Sequence, residues 1–142
     1  MIEIDPLYTA EAVATGAGRD GHVQTADGRI ALDLAVPAEM GGSGDGANPE
    51  QLFAAGYAAC FHSALQSVAR QAKKKLGDSS VGARVSIGKA GEGFGLAVTL
   101  EVVIPDLPQD EAQQLADAAH QVCPYSNATR GNIRVDVQVV DD

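Results

Sequence analysis

The sequence feature that most constrains the fold is the stretch Asn48–Leu76, which joins a helix start to a long apolar run. Asn48 is a good N-cap, and Pro49 suits the first helical position. Apolar residues then recur at helical spacing. They are Phe53, Tyr57, Cys60, Ala64, Val68, Ala72 and Leu76. We therefore predict one long helix over this stretch, capped by Gly77.

The first half of this predicted helix is apolar on nearly every face, from residue 52 to residue 65. A helix that packs on one small sheet needs a single apolar stripe, and its opposite face is normally polar. A helix that is apolar all round must be covered on all sides. The sequence therefore predicts that a second copy of the chain covers it, in a homodimer.

Alternating apolar residues predict strands on both sides of the helix. The predicted strands are 7–16, His22–Ala26, Arg29–Ala35, Val81–Lys89, Phe94–Ile104 and a last strand over 133–139. Asp27-Gly28 is typical of a type I′ turn and should join the second and third strands as a hairpin. Gly91-Glu92-Gly93 should join the fourth and fifth.

A second helix is predicted from Pro108 to Cys123, because Pro124 disfavours helical geometry in the residue before it. A short turn over Ser126–Arg130 follows. The element order is then β-β-β-α-β-β-α-β, an α+β arrangement. No repeat or linker divides it, so we predict one domain over residues 1–142.

Two glycine-rich segments interrupt the predicted strands and helices. Gly16–Gly21 predicts a flexible turn that projects Arg19. Pro37–Ala47 contains four glycines and predicts a mobile loop that leads into the long helix. Either segment could border a site.

The charge and hydropathy of the chain exclude several classes of function. Its formal net charge is −9, whereas nucleic-acid binding depends on clustered cations. The longest apolar run, Leu52–Phe61, is too short to span a bilayer, and the N-terminus lacks the pattern of a signal peptide. We therefore expect a cytoplasmic protein without nucleic-acid or membrane partners.

The chain has two cysteines, Cys60 and Cys123, which do not suggest a secreted disulfide scaffold. Each could be a small buried hydrophobe. The position of Cys123 at a helix end predicts that it is the more accessible of the two. A metal site that also uses His62 and His120 is disfavoured, because Cys60 and His62 point roughly 200° apart on a helix.

A redox pair of thiols is the remaining alternative, and it requires a thiolate. At pH 7 an ordinary thiol is only roughly 3% ionised, and burial lowers that fraction. Cys60 lies about three turns from the N-cap, too far for its own helix dipole to help, so a cation is needed. The arginines are Arg19, Arg29, Arg70, Arg84, Arg130 and Arg134. Arg19 is the least explained as a surface charge, and Glu50 could orient it.

Two segments, Asn48–Phe61 and Val122–Asn132, resemble the organic hydroperoxide resistance (Ohr) proteins of the Ohr/OsmC family. The likeness extends to Tyr8-Thr9-Ala10, the Arg19 turn and the Asp27-Gly28 hairpin, and so covers nearly the whole chain. The segment from Cys123 to Arg130 is more similar to the Ohr branch than to its OsmC sister.

The resemblance implies an OsmC-like fold: an intertwined homodimer whose central helices are enclosed by antiparallel sheets, with active sites at the subunit interface. It further implies a thiol peroxidase for alkyl and fatty-acid hydroperoxides. Cys60 would be the peroxidatic nucleophile and Cys123 the resolving thiol, with Arg19 and Glu50 activating the thiolate. Electrons would return from a dihydrolipoyl-bearing protein, and no cofactor is implied.

Apolar side chains near these residues could bind the alkyl chain of such a substrate. The candidates are Phe53, Tyr57, Phe61, Phe94 and Tyr125. Glu50 and Cys60 should lie roughly 15 Å apart along one helix, so we expect the Glu50 beside a given Cys60 to come from the partner subunit. Two alternatives stay open: a peroxidase of the OsmC branch, and a non-enzymatic dimer that binds apolar ligands or senses peroxide.

Overall fold

The computed structural model describes residues 1–141. The chain forms two compact units, Met1–Pro49 and Glu50–Asp142, and each is described by itself below. The α+β class is confirmed. The single domain over 1–142 stays a prediction. Within the described residues, no helix is both long enough and apolar enough to cross a membrane.

The first unit contains a three-stranded antiparallel sheet in the order β1-β2-β3. Its strands are β1 (Ala12–Thr15), β2 (His22–Thr25) and β3 (Ala31–Asp33). The β2–β3 hairpin is confirmed. The prediction of a strand from residue 7 was wrong, because β2 offers no partner beyond Thr25, which pairs with Ala12.

The turn of this hairpin differs from the predicted type I′ turn. Such a turn needs positive φ at both central residues, but here only Gly28 has it, with φ of 74°. The Asp27 carboxylate accepts hydrogen bonds from the Thr25 hydroxyl and the Arg29 N–H. These bonds hold a wider loop over 26–29, which is closed by the bond from the Thr25 N–H to the Ile30 carbonyl.

The turn that carries Arg19 is a 3-10 helix over Gly18–Asp20, held by several hydrogen bonds. The Gly21 N–H bonds the Gly18 carbonyl, and the Asp20 carboxylate accepts the Val36 N–H at 2.9 Å. A side chain at Gly21 would collide with the Thr15 carbonyl oxygen. Where the sequence suggested a flexible turn, the structure therefore shows one tied to the strand region around it.

The second unit is organised around α1 (Pro49–Gln71). Its buried face follows helical spacing and consists of Tyr57, Phe61, Ala64, Leu65 and Ala69. Burial of each large side chain contributes about 1.5–3 kcal/mol. The long helix is confirmed, but the prediction that it runs to Leu76 and is capped by Gly77 was wrong. Lys73 takes the left-handed conformation, and the Lys74 N–H bonds the Ala69 carbonyl, which ends the helix five residues early.

A three-stranded sheet in the order β4-β5-β6 packs against this core. Its strands are β4 (Ser80–Ala90), β5 (Gly93–Val103) and β6 (Val135–Val139). The β4–β5 hairpin is antiparallel, as predicted. The expectation of purely antiparallel sheets was wrong, since β6 runs parallel to β5. The helix-containing connection between those strands allows this pairing.

That connection contains α2 (Gln109–Val122) and α3 (Pro124–Thr129). The predicted bounds of the second helix are confirmed, and Cys123 separates it from α3. The segment over 126–130, predicted as a turn, is mostly helical because Pro124 starts a new helix in its first position. α1, α2 and the second sheet share one hydrophobic core, which includes Cys123.

Candidate active site

Two free cysteines meet in the core of the second unit. Cys60 lies on α1, one turn after Tyr57, and Cys123 is the residue between α2 and α3. Their sulfur atoms are 3.5 Å apart, in direct contact. A disulfide bond is about 2.05 Å long, so the sulfurs need to approach by only about 1.5 Å to form one.

The exposure of the two thiols is the reverse of the sequence-based expectation. Cys123 is fully buried, whereas Cys60 is partly exposed. The prediction that a position before proline makes Cys123 the more accessible thiol was wrong. α3 starts at once after Cys123, and its residues Ser126 and Thr129 are buried with it. An incoming molecule therefore meets Cys60 first.

Three influences act on the pKa of the Cys60 thiol within this unit, and they do not all have the same sign. Burial raises the pKa of Cys60 above its ordinary value and is the largest effect. The backbone N–H of Tyr125 hydrogen-bonds the sulfur and lowers the pKa, because it stabilises the thiolate. The Cys123 thiol raises the pKa again. The net direction is upward, so a reactive thiolate requires a further source of positive potential.

An apolar cavity of about 630 Å³ lies next to this pair. Its walls include Phe53, Phe94, Leu96, Tyr125 and Ile133. Tyr125 connects the cavity to the thiol, since its ring lines the cavity while its N–H bonds Cys60. Three of the five apolar residues that the sequence proposed for substrate binding therefore line one cavity.

The other two residues proposed for substrate binding, Tyr57 and Phe61, have no exposed surface. They belong to the core, which corrects the expectation that they line the pocket. The Tyr57 ring packs against Phe53 and Tyr125, with centroids 5.9 Å and 5.6 Å away. Its burial therefore fixes two rings that do line the cavity.

Gly56 lets Tyr125 lie close against α1. A Cβ at this position would stand 2.7 Å from the Tyr125 hydroxyl and 3.2 Å from two ring carbons. A larger residue would push the Tyr125 ring away from the helix. The sequence offered no reason to single out Gly56, because its neighbour here is 69 positions away.

A network of buried and part-buried polar side chains surrounds the Tyr57 hydroxyl, and it was not predicted from the sequence. The Tyr57 hydroxyl is 2.9 Å from Ser126 Oγ and 3.0 Å from Thr129 Oγ1. His120 Nδ1 is 2.7 Å from the same Ser126 oxygen. Burial lowers the pKa of His120, and the nearby Arg130 lowers it further, so the ring stays neutral near pH 7.

Arg19 and Glu50, the other two predicted site residues, belong to different units. Arg19 is half-buried in its 3-10 turn in the first unit. Glu50 is the second residue of α1 and is also half-buried. Their action on Cys60 stays a prediction. Among residues 1–141, no group of three or more His, Cys, Asp and Glu side chains is placed to hold a metal ion.

By its fold and site, the chain is an α+β protein with a contacting pair of free thiols beside an apolar cavity. Residues 42–138 match the family model described as OsmC-like protein. The organic hydroperoxide resistance protein of Xanthomonas axonopodis pv. citri is 55% identical over 91% of this chain and 92% of its own length.

Solved structures agree with this match. A crystal structure of an organic hydroperoxide resistance protein from Elizabethkingia anophelis is 50% identical, with a TM-score of 0.92 over 98% of this chain and all of that one. The OhrB protein of Bacillus subtilis is 45% identical, with a TM-score of 0.86 over 95% of this chain and all of that one. The chain therefore belongs to the Ohr/OsmC family, and its similarity is to the Ohr branch.

Proposed function

We propose that the protein is a cysteine-based peroxidase that reduces organic hydroperoxides to alcohols. The observation that carries the proposal is the 3.5 Å contact between a partly exposed thiol and a buried one. An exposed thiol can meet an oxidant, and a buried neighbour can then form a disulfide with it. The relatives named organic hydroperoxide resistance proteins support the choice of oxidant.

The proposed reaction has two oxidative steps. In the first, the Cys60 thiolate attacks the distal peroxide oxygen, the O–O bond breaks, and the alkoxide takes a proton and leaves as the alcohol. Cys60 is then a sulfenic acid. In the second, the Cys123 sulfur attacks the Cys60 sulfur, the S–O bond breaks, and water leaves as the disulfide forms.

A dithiol must then return two electrons to the disulfide. We propose a dihydrolipoyl-bearing protein, whose two thiols become a cyclic disulfide while Cys60 and Cys123 return to thiols. The protein-bound dithiol need only reach Cys60, because Cys60 is the exposed member of the pair. Cytoplasmic localisation fits this partner and stays part of the proposal.

The cavity supports an organic substrate. Its walls carry aromatic and aliphatic side chains, which favour an alkyl or acyl chain over hydrogen peroxide. The hydroperoxide head would then lie toward Tyr125, whose N–H already bonds the sulfur that attacks. An apolar tail in the cavity would thus orient the reacting oxygen toward Cys60.

Arg19 is the proposed source of the positive potential that Cys60 requires. Burial raises the pKa of Cys60 more than the Tyr125 N–H lowers it. An arginine remains charged when buried and can offset this rise if it lies near the sulfur. Glu50 is proposed to orient that arginine by a charge-assisted hydrogen bond.

The first test combines turnover with mass spectrometry on the wild-type protein. With cumene hydroperoxide and dihydrolipoamide, we expect many equivalents of peroxide to be consumed. After one equivalent of peroxide without reductant, we expect a loss of two hydrogens and a Cys60–Cys123 disulfide peptide. Faster reaction with cumene hydroperoxide than with hydrogen peroxide is expected for the Ohr branch. Thiols that stay reduced would contradict the proposal.

A homodimer is also part of the proposal. Residues 1–11 carry four exposed large apolar side chains, Ile2, Ile4, Leu7 and Tyr8, besides Met1. On α1, Ala55 and Ala59 are exposed as well. Apolar surface of this extent favours a second copy of the chain as its cover.

In this dimer, we expect Glu50 of one subunit to contribute to the site that contains Cys60 of the other subunit. A chain with Cys60→Ser, paired with a chain with Glu50→Gln, should have one intact site, formed by the Cys60 of one chain and the Glu50 of the other. We expect the purified heterodimer to show roughly half the wild-type rate, since one of two equivalent sites remains. Both mutant homodimers serve as controls and should be strongly impaired. A heterodimer as inactive as those controls would show that Glu50 acts within its own chain.

A further inference from the structure

Three side chains of the buried network around Tyr57 each lie three residues, about one helical turn, from one of the two cysteines. Tyr57 precedes Cys60 by one helical turn, and His120 precedes Cys123 by one turn of α2. Ser126 follows Cys123 by one turn of α3. Each side chain in this set comes from one of the three helices that carry or border the sulfur atoms. The network therefore connects the helices at the level of the thiols.

Only one placement of protons satisfies all four hydrogen bonds of this network. The Thr129 hydroxyl must donate to the Ser126 carbonyl, which can only accept, so the Tyr57 hydroxyl donates to Thr129. Ser126 must then donate to Tyr57, and His120 Nδ1 must donate to Ser126. The bonds run in one direction, from α2 to α3, across to α1, and back to α3.

Within this network, α3 is hydrogen-bonded to α1 at two points, and both bonds use the Tyr57 hydroxyl. Across the described residues, every buried side-chain nitrogen and oxygen has a hydrogen-bond partner. Removing one phenol oxygen would break both attachments, while the bond of His120 to Ser126 and that of Thr129 to the Ser126 carbonyl would remain. The loss would therefore loosen α3 on α1 without removing its other anchors.

We propose that Tyr57 is a positioning residue whose hydroxyl holds α3, and with it Cys123, in place to attack the sulfenic acid of Cys60. The inference rests on the proposed function. Disulfide formation needs the two sulfurs aligned at bonding distance, and such alignment depends on how firmly the supporting elements are held. Attack of Cys60 on peroxide needs no contribution from Cys123. The hydroxyl should therefore affect the second step much more than the first.

The test compares the two oxidative steps in Tyr57→Phe and in the wild type. Sulfenic acid is trapped with dimedone at timed quenches after one equivalent of cumene hydroperoxide, and mass spectrometry measures the adduct and the disulfide. Both steps are followed in the same reaction at one pH, so that the two rates of each protein are compared directly. We expect disulfide formation to slow about tenfold, which corresponds to about 1.4 kcal/mol. Cys60 oxidation should stay within about twofold, since it does not use the α3 anchor.

Ser126→Ala removes one of the two bonds between the Tyr57 hydroxyl and α3, and it leaves the bond to Thr129. It should slow the second step by no more than Tyr57→Phe does, and the double variant should be no slower than the slower single variant. Ser86→Ala on the exposed face of β4 is the matched control and should change neither rate. If Tyr57→Phe does not fold, Ser126→Ala decides.

The outcomes separate this inference from the proposed function. Sulfenic acid that accumulates in Tyr57→Phe, with normal oxidation of Cys60, supports the positioning role. Wild-type disulfide formation in both variants overturns the role and leaves the peroxidase proposal intact. Equal slowing of both steps also overturns it, because that result indicates a general loss of structure. A wild-type protein that forms neither sulfenic acid nor disulfide overturns the peroxidase proposal and the inference together.

Discussion

Replacing Cys60 by serine is expected to abolish hydroperoxide turnover, leaving only the rate of the mixture without protein. A serine hydroxyl is scarcely ionised at neutral pH, and its oxygen cannot pass through a sulfenic acid. Cys123 cannot substitute for it, because Cys123 is fully buried. The measurement is consumption of cumene hydroperoxide in the presence of dihydrolipoamide.

Cys123→Ser is the matched comparison, since it makes the same chemical change 3.5 Å away. We expect it to reduce about one equivalent of peroxide per chain and then to hold Cys60 as a sulfenic acid. Excess peroxide should convert this to the sulfinic acid, which adds two oxygens to the chain mass. Thermal unfolding of both variants controls for loss of structure. Substantial turnover by Cys60→Ser, or identical behaviour of the two variants, would contradict the assigned roles.

The contrast between these variants is clear only because of what the structure shows about exposure. From the sequence, the residue before Pro124 was expected to be the more accessible thiol. That inference used local geometry alone, and it was correct about where α2 ends. It failed because α3 folds back at once and buries Cys123, together with Ser126 and Thr129. Burial depends on distant segments, so local pattern predicts it poorly.

Local chemistry did predict most of the helices and strands. The start of α1 follows from Pro49, the bounds of α2 follow from two prolines, and the β4–β5 hairpin follows from alternation around glycine. The errors occur where pairing with a strand distant in the sequence determines the structure. β6 pairs in parallel with β5, and β1 is short because β2 ends at Thr25. A pattern along the chain contains no information about which strand lies beside it.

The candidate site shows the same division. The resemblance singled out both thiols, and apolar type singled out Phe53, Phe94 and Tyr125 as possible cavity residues. The Tyr125 N–H at the Cys60 sulfur has no signature in sequence, because every residue except proline has a backbone N–H. The sequence also could not predict roles that depend on contacts between residues about 70 positions apart, such as those of Gly56 and of the Ser126 and Thr129 hydroxyls.

Arg19→Gln is expected to lower the rate of Cys60 oxidation at pH 7 roughly 30-fold or more. The estimate follows from the ionised fraction: a thiol with an ordinary pKa of about 8.5 is only roughly 3% thiolate at pH 7, whereas a fully activated one is nearly all thiolate. Burial raises the pKa of Cys60 more than the Tyr125 N–H lowers it, so loss of the cation should leave the thiol at or above its ordinary value.

The sign of the pH dependence provides the sharper measurement. A cation near Cys60 lowers the pKa of the thiol, so the wild-type rate should level off at a lower pH than that of Arg19→Gln. The difference between the two rates should be largest near neutral pH. It should shrink as the pH rises and Cys60 becomes ionised in both proteins. Stopped-flow oxidation by cumene hydroperoxide across pH, with loss of free thiol as the signal, gives both curves.

The matched control is Arg29→Gln, which removes the same charge from the same unit. Arg29 is 3.6 Å from the Asp27 carboxylate in the hairpin loop, and its side chain is highly exposed, so solvent screens its effect. Its pH curve should coincide with the wild-type curve. If the Arg19→Gln curve coincided with it too, the positive potential at Cys60 would have to come from another arginine. Because burial raises the pKa of Cys60, a cation near the sulfur is necessary for rapid reaction at neutral pH. We expect this cation to be Arg19, so Arg19→Gln should react slowly at neutral pH.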